Sequence, residues 1–541
     1  MTSLPAAGIP AERIFFNGRV WTGERNLPWA EALAVWGGRI AAVGRNSEIA
    51  GLKGPLTETL DLQGMLVVPG FIDNHTHFMS GGFQLLGVDL RDAGNEQEFA
   101  QRLGNKAASL PEGSWITGGD WDHEAWPSRS IPRKEMVDPV TPKHPILVSR
   151  LDGHMALANS RALQIAGITR QTKDPPGGTI VRDPATGEPT GILKDAAMSL
   201  VSRHIPDAAP EQRLEAARAA VRHAREMGVT MINDMAGFDD LQAYQKLLQA
   251  GELTLRVYAI TPLPQFQKLK NAGVRRAFGG DYIRVGAVKG FMDGSLGSTT
   301  AWFFEPFTDA SDTAGLPSDM MFPEGNMKRL LSEADKAGLQ IAVHAIGDRA
   351  NATLLDYFQQ VERENIPWDR RFRVEHAQHL RPQEIPKFRE LKVIASMQPY
   401  HAIDDGRWAE KRIGHKRCET TYAFKSLLEA GAVLTFGSDW TVAPLNPLLG
   451  VYAAVTRRTL DGKNPQGWIP EQKISVEQAM QAYTASNAYA CFTENDLGTL
   501  RAGKLADCVV LSDDIFSIPA ERIKDVRVMM TVVGGKVVFR R

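Results

Sequence analysis

His75 and His77 stand two residues apart in Pro69-Gly70-Phe71-Ile72-Asp73-Asn74-His75-Thr76-His77, directly after the apolar run Met65–Val68. In extended chain such residues point the same way, so both imidazoles can reach one metal ion. Imidazole is a common ligand for zinc and other first-row divalent ions. An isolated His-x-His also arises by chance, as two polar residues opening a loop. Four residues further along the chain give it weight. Lys289 ends IRVGAVK, His344 ends QIAVH, His376 follows RFRVE and Asp439 ends VLTFGSD. Each sits at or just beyond the C-terminal end of its own apolar run, and barrel active sites are assembled from such ends.

The residue types suggest roles. A carboxylate beside a metal-bound water can take its proton and pass it to a leaving nitrogen, which makes Asp439 the natural general base; the alternative is a helix cap. An ammonium has no lone pair for a metal. Lys289 therefore either pairs with a carboxylate such as Asp293 or, held deprotonated by burial, adds carbon dioxide and becomes a bridging carbamate. His154, in LDGH, can donate to a carbonyl oxygen as charge develops, or can be a satisfied structural histidine. Asp293, Trp121 and His401 are candidates for the pocket wall. Glu375 reads as pointing away from its neighbour His376, in a structural role.

These side chains need a scaffold. Short apolar runs at Met65–Val68, Val229–Ile232, Leu255–Ile260, Ile283–Val288, Gln340–Val343, Phe372–Val374, Val393–Ser396 and Val433–Phe436 read as strands. Helical patterns lie between many of them, at Glu211–Met227, Leu241–Ala250, Lys328–Ala337, Asn351–Arg363 and Thr420–Ala430. That alternation signals a parallel sheet, and eight strands suit an α/β fold of the (β/α)8 barrel type. The stretch 81–205 is too long for one connection; with Trp115, Trp121, Trp126 and two strand-like runs it reads as a folded insertion over the barrel mouth. Its rings either line an aromatic pocket or pack the insertion's own core. Both chain ends show short strands and glycine turns: Arg13–Val20, Glu31–Trp36 and Arg39–Val43, then Ala506–Leu511, Val526–Val533 and Lys536–Phe539. They read as one small β-sandwich built from both termini. The expected division is 1–64 and 491–541 for the sandwich and 65–490 for the barrel, with 81–205 inserted after its first strand.

The set of motifs resembles the amidohydrolase superfamily, and the local text is closer to amidohydrolase family 3, the branch of YtcJ-like metal-dependent hydrolases and N-substituted formamide deformylase. The passages that carry it are PGFIDNHTH (69–77), SRLDGHMALANSRAL (149–163), VKGFMDGSLGSTTAW (288–302), VHAIGDRA (343–350), RVEHAQ (373–378), ASMQP (395–399), GSDWTVAPLNPLLGVYAAVTRR (437–458) and GTLRAGKLADCVVL (498–511). The resemblance implies one or two divalent ions, zinc first among them. His75, His77 and a carboxylated Lys289 would hold one, Lys289, His344 and His376 the other, with Asp439 also at the metal. It implies hydrolysis of a carbon–nitrogen bond other than a peptide bond, in an amide or N-substituted formamide-like small molecule. An ester, lactone or cyclic amide could use the same site; so could an isomerase or lyase. A metal-free binding or scaffolding barrel would be expected to have lost ligands, and this chain keeps them all.

Composition narrows the field. Of 541 residues 43% are hydrophobic and 23% charged, which is globular composition, and 62 Lys and Arg against 63 Asp and Glu leave a net charge of −1 without the basic surplus of a nucleic-acid binder. Cys418, Cys491 and Cys508 form no CxxC pair, so neither a disulfide framework nor a thiolate zinc site is expected. The start MTSLPAAGIPAERIFF lacks the pattern of a secretory signal, and no run approaches the about 18 apolar residues of a membrane span. A cytoplasmic protein is expected, with homodimerisation left open. No GxGxxG, GxxxxGK[ST] or GxSxG motif points to nucleotide binding or a serine nucleophile.

Overall fold

The computed structural model describes residues 10–541; the first nine, part of the N-terminal stretch in which no signal pattern is found, lie outside the described residues. Eight parallel strands succeed one another in chain order: Phe71–Thr76, Val229–Met235, Arg256–Pro262, Ile283–Phe291, Gln340–Ala345, Arg373–His376, Ile394–Met397 and Val433–Phe436. The last strand meets the first at the C-terminal end. There Thr76 bridges Trp440 in parallel, His77 N–H donates to Trp440 O at 2.6 Å, and Asp439 N–H donates to His75 O at 2.8 Å. The α/β barrel is thus tied together by the two motifs that carry the site.

Apolar strands and amphipathic helices follow the sequence pattern, with helices at Pro210–Glu226, Phe238–Gln249, Asn326–Lys336 and Asp348–Glu364. The helix expected from Thr420 begins only at Phe424, because Tyr422 has φ = 51°, outside helical space. Phe78–Leu86 follows the first strand and lies against Pro210–Glu226 so closely that a Cβ on Gly82 would fall 2.2 Å from Ala216 O. Glycine is required there for the contact itself.

One strand assignment is corrected. Leu66–Pro69 is not the first barrel strand; it pairs in parallel with Arg19–Trp21 and antiparallel with Cys508–Leu511, in the six-stranded sheet shared by both chain ends. The run is apolar because it is buried inside the terminal sandwich. The true first strand, FIDNHT, is buried yet largely polar, so it escapes a search for apolar runs. A second sheet holds Arg39–Gly44, Ala32–Trp36, Arg13–Phe16 and Glu58–Asp61. Phe15, Leu33, Val35, Val67, Val510 and Val532 pack within one shared core cluster. The expected single strand Arg13–Val20 is two, because Asn17 adopts φ = 55° and sends the chain from one sheet to the other.

The insertion forms its own six-stranded sheet from Val88–Asp89, Ile116–Trp121, Ile146–Arg150, Met155–Ala158, Gly178–Arg182 and Pro189–Asp195. Trp121 and Trp126 are fully buried in its core with Phe99, Leu103 and Val148, and their indole N–H groups donate to Val148 O and Ala93 O at 2.9 and 2.8 Å. Trp121 is therefore a packing residue, and its expected place in a pocket wall is corrected. Cys418, Cys491 and Cys508 are buried free thiols. Among the described residues no helix is long and apolar enough to cross a membrane.

Candidate metal centre

The candidate ligands converge at the C-terminal ends of the barrel strands, and two of them sit on strained backbone. His376 has φ = 75° and Asp439 φ = 57°, left-handed conformations that cost an L-residue on the order of 1–3 kcal/mol. At His376 this breaks strand alternation, so that Glu375 and His376, though adjacent, both face the centre. Glu375 Oε2 lies 2.5 Å from His75 Nδ1 and His376 Nδ1 lies 3.9 Å from Asp439 Oδ2. The reading of Glu375 as pointing away is corrected for that reason.

His75, His376 and Asp439 present ligand atoms all within 4.8 Å of one another. His77 Nε2 and His75 Nε2 lie 3.3 and 3.5 Å from Asp439 Oδ1. Lys289 Nζ is 3.2 Å from His75 Nε2, so it faces the histidines and not Asp293. The His344 ring centre is 4.6 Å from that of His376. The sequence-predicted set Lys289, His344, His376, His75, His77 and Asp439 therefore shares one site.

Second partners fix the tautomers. Glu375 engages His75 Nδ1, which turns the Nε2 lone pair toward Asp439 and Lys289 Nζ. Gly294 O accepts from His344 Nε2 at 2.9 Å, which leaves Nδ1 free, and Gln398 Oε1 engages His376 Nδ1 at 2.7 Å. Ligating histidines are held in this way by their other nitrogen. Glu375 is itself held by Arg373 at 2.6 Å and Ser396 at 2.7 Å.

Burial suits the donors to a cation. It pushes His75 down to about 4, helped by the Lys289 charge, and drives His344 and His376 well below the ordinary imidazole range, which favours the neutral ring with one N–H and one free lone pair. Lys289 is pushed down to about 8 by burial, against the pull of Glu375 and Asp439. Burial opposes the charge of Asp439, yet the surrounding imidazoles hold it well below the usual carboxylate range. Its Oδ1 is buried and has no hydrogen-bond partner. A buried acceptor left so is costly, and a cation among these nitrogens would satisfy it. The residues fit a metal.

The remaining candidates divide. His154 lies on the turn between the insertion strands Ile146–Arg150 and Met155–Ala158; its Nδ1 is 2.7 Å from Asp195 Oδ1 and its ring centre 4.9 Å from that of His344. The insertion thus hands it to the barrel mouth. His401 is near-parallel to His376 with centres 6.4 Å apart, and its Nε2 is buried and unpartnered. Asp293 accepts from the Ile346, Gly347 and Trp302 N–H groups at 3.0, 2.8 and 2.8 Å. It braces loops behind His344 and lines a cavity beside it.

Sequence reasoning missed several contributors. Asp73 accepts from Ser438 N–H at 2.9 Å and His75 N–H at 3.1 Å, joining the first and last strands; its place two residues ahead of the His-x-His pair was the available signal. Arg150, Asp122 and Arg407 form a charged wall, with Arg150 to Asp122 at 3.3 Å and Arg407 to Asp122 at 3.1 Å. Nothing in their spacing marks them.

The sequence profile of the amidohydrolase family matches residues 58–539. The chain belongs to that family. This amidohydrolase is similar to Protein LONG AFTER FAR-RED 3 of Arabidopsis thaliana, at 39% identity over 99% of this chain and 93% of that one. It is also similar to N-substituted formamide deformylase of Arthrobacter pascens, at 26% identity over 98% of each. Among solved structures, an uncharacterized metal-dependent hydrolase from Pyrococcus horikoshii superposes with a TM-score of 0.76 and 28% identity, covering 94% of this amidohydrolase and 99% of that chain.

Proposed function

We propose that the protein is a metal-dependent hydrolase that cleaves a carbon–nitrogen bond other than a peptide bond, in an amide or N-substituted formamide-like small molecule. The observation that carries this is Asp439 Oδ1, buried without a partner beside the Nε2 atoms of His75 and His77. Family membership, the metal-dependent hydrolase and the deformylase support the bond type.

His75, His77, Lys289, His344, His376 and Asp439 would hold one or two divalent ions, with zinc the first choice for such donors. A bound ion supplies Lewis acidity toward a carbonyl and brings the pKa of water toward neutrality. Carboxylation of the Lys289 amine would give an anion with two donor oxygens. Asp439 accepts the proton of the attacking water and returns it to the leaving nitrogen. Burial disfavours a charged His154, but Asp195 outweighs it and the pKa is raised; the ring can then keep Nδ1–H on Asp195 and donate Nε2–H to the developing oxyanion. Glu375 and Gln398 act through His75 and His376 by holding their orientation.

The test is a panel of matched amides and esters, with amine or alcohol release measured on protein loaded with zinc, manganese or cobalt and on chelated protein. Metal-dependent amine release is expected. Turnover of esters alone contradicts the bond assignment, and no turnover with any metal contradicts the hydrolase.

A further inference from the structure

Space around the candidate ligands is small. The cleft between His376, Asp439, His344, His401 and Arg150 holds about 50 Å³. At about 10–15 Å³ per water-sized occupant, that admits a scissile group and an attacking water but little more. Its two arginines are already paired, Arg150 with Asp122 and Asp152 and Arg407 with Asp122. The rest of a larger substrate must leave the cleft elsewhere.

His154 lines this cleft and also a second cavity of about 320 Å³. Phe291, Leu316, Met198 and Met320 wall that cavity, and all four keep part of their surface uncovered. They come from three separate segments: the end of the strand that carries Lys289, the loop ahead of helix Asn326–Lys336, and the insertion just past Asp195. Several of the polar groups there are engaged with other partners. Asp293 accepts from three backbone N–H groups, Ser318 Oγ donates to Phe291 O, and Asp195 Oδ1 engages His154. Asp195, whose Oδ2 is buried without a partner, and the exposed Asp319 also line it. The Phe291 ring centre lies 4.9 Å from Lys289 Nζ and 5.3 Å from the His344 ring, so the cavity adjoins the candidate centre. Concave, mostly apolar space with a few placed polar groups is what small-molecule sites present.

We propose that this cavity holds an uncharged alkyl or aryl group of the substrate, so that the enzyme acts on amides with a sizeable apolar substituent beside the scissile bond. The inference rests on the proposed hydrolytic function. Two thioether side chains let the wall adapt to groups of different shape. The group can be carried on the amide nitrogen or on the acyl carbon, and the experiment separates the two.

One series would run formamide, N-methylformamide and N-butylformamide; the other acetamide, butanamide and hexanamide. kcat/KM is measured on the metal-loaded enzyme and on Leu316→Trp and Met320→Trp, two fillings of the cavity, so that misfolding of either leaves the other. In one series kcat/KM is expected to rise at least about tenfold from the smallest to the largest member, the scale of apolar-pocket discrimination. At least one filled variant should lose that rise while keeping its rate on the smallest member. Rates that ignore chain length in both series, or filled variants that keep the full rise, overturn the assignment. Calorimetric binding of N-butylacetamide against acetamide reads the cavity without turnover. Tighter binding of the butyl compound that is lost on filling supports the cavity even if no amide is hydrolysed, in which case the proposed reaction fails alone.

Discussion

Glu375 Oε2 lies 2.5 Å from His75 Nδ1, and Arg373 holds the other carboxylate oxygen at 2.6 Å. All three side chains are buried. The contact decides which nitrogen of His75 faces Asp439 and the other candidate ligands, on a ring that could otherwise have turned either way. Glu375→Gln keeps the size but weakens the acceptor. Metal affinity is expected to fall about 10–100-fold, the usual cost of losing such a support. Competition with a chelator reads it directly; unchanged affinity in a folded variant would separate Glu375 from the site.

Asp439→Asn should lower the rate of amine release by at least about 10²-fold, the lower range for a lost acid–base group. Initial rates and metal content are measured together. A variant that retains metal and activity removes Asp439 from the proton path.

Arg256 ends its guanidinium on Asp507, with Nε–Oδ2 at 2.7 Å and Nη2–Oδ1 at 2.8 Å, both side chains buried. The pair fastens the third barrel strand to the terminal sandwich, far along the chain. Breaking it with Asp507→Ala leaves a buried cation unpaired, and about 3–5 kcal/mol of stability should be lost. Denaturant unfolding measures the loss, while kcat per folded enzyme should hold.

Asp234 is pushed up to about 7 by burial, although Tyr244 OH and Phe78 N–H donate to it. Its folded pKa lies above the unfolded value, so between about pH 4 and 7 the folded state binds more protons and stability falls as pH rises. Asp234→Asn should flatten that part of the stability–pH curve. An unchanged slope across the window would contradict the assignment.

The convergence of the candidate ligands was more legible in the sequence than the scaffold details. Lys289, His344, His376 and Asp439 each follow an apolar run because barrel chemistry is built on strand ends, so a one-dimensional pattern carried three-dimensional information. The first strand hid because its interior is polar: Asn74 donates to Ser396 at 3.1 Å and Thr435 at 2.6 Å across the barrel. Glu375 hid because a left-handed residue follows it, which alternation cannot foresee. Trp121 misled because a large ring signals burial without saying in which core. His154 could be suspected but not placed, since its approach to His344 depends on how the insertion docks.

The most direct test of the central claim is metal content per chain, by elemental analysis of protein purified without chelator and with bicarbonate present. The account predicts one or two equivalents of a divalent metal, removed by chelation together with activity and restored with it, and reduced in an Asp439→Ala and a His75→Ala variant that remain folded. Protein that carries no metal and takes none up on reconstitution would contradict it.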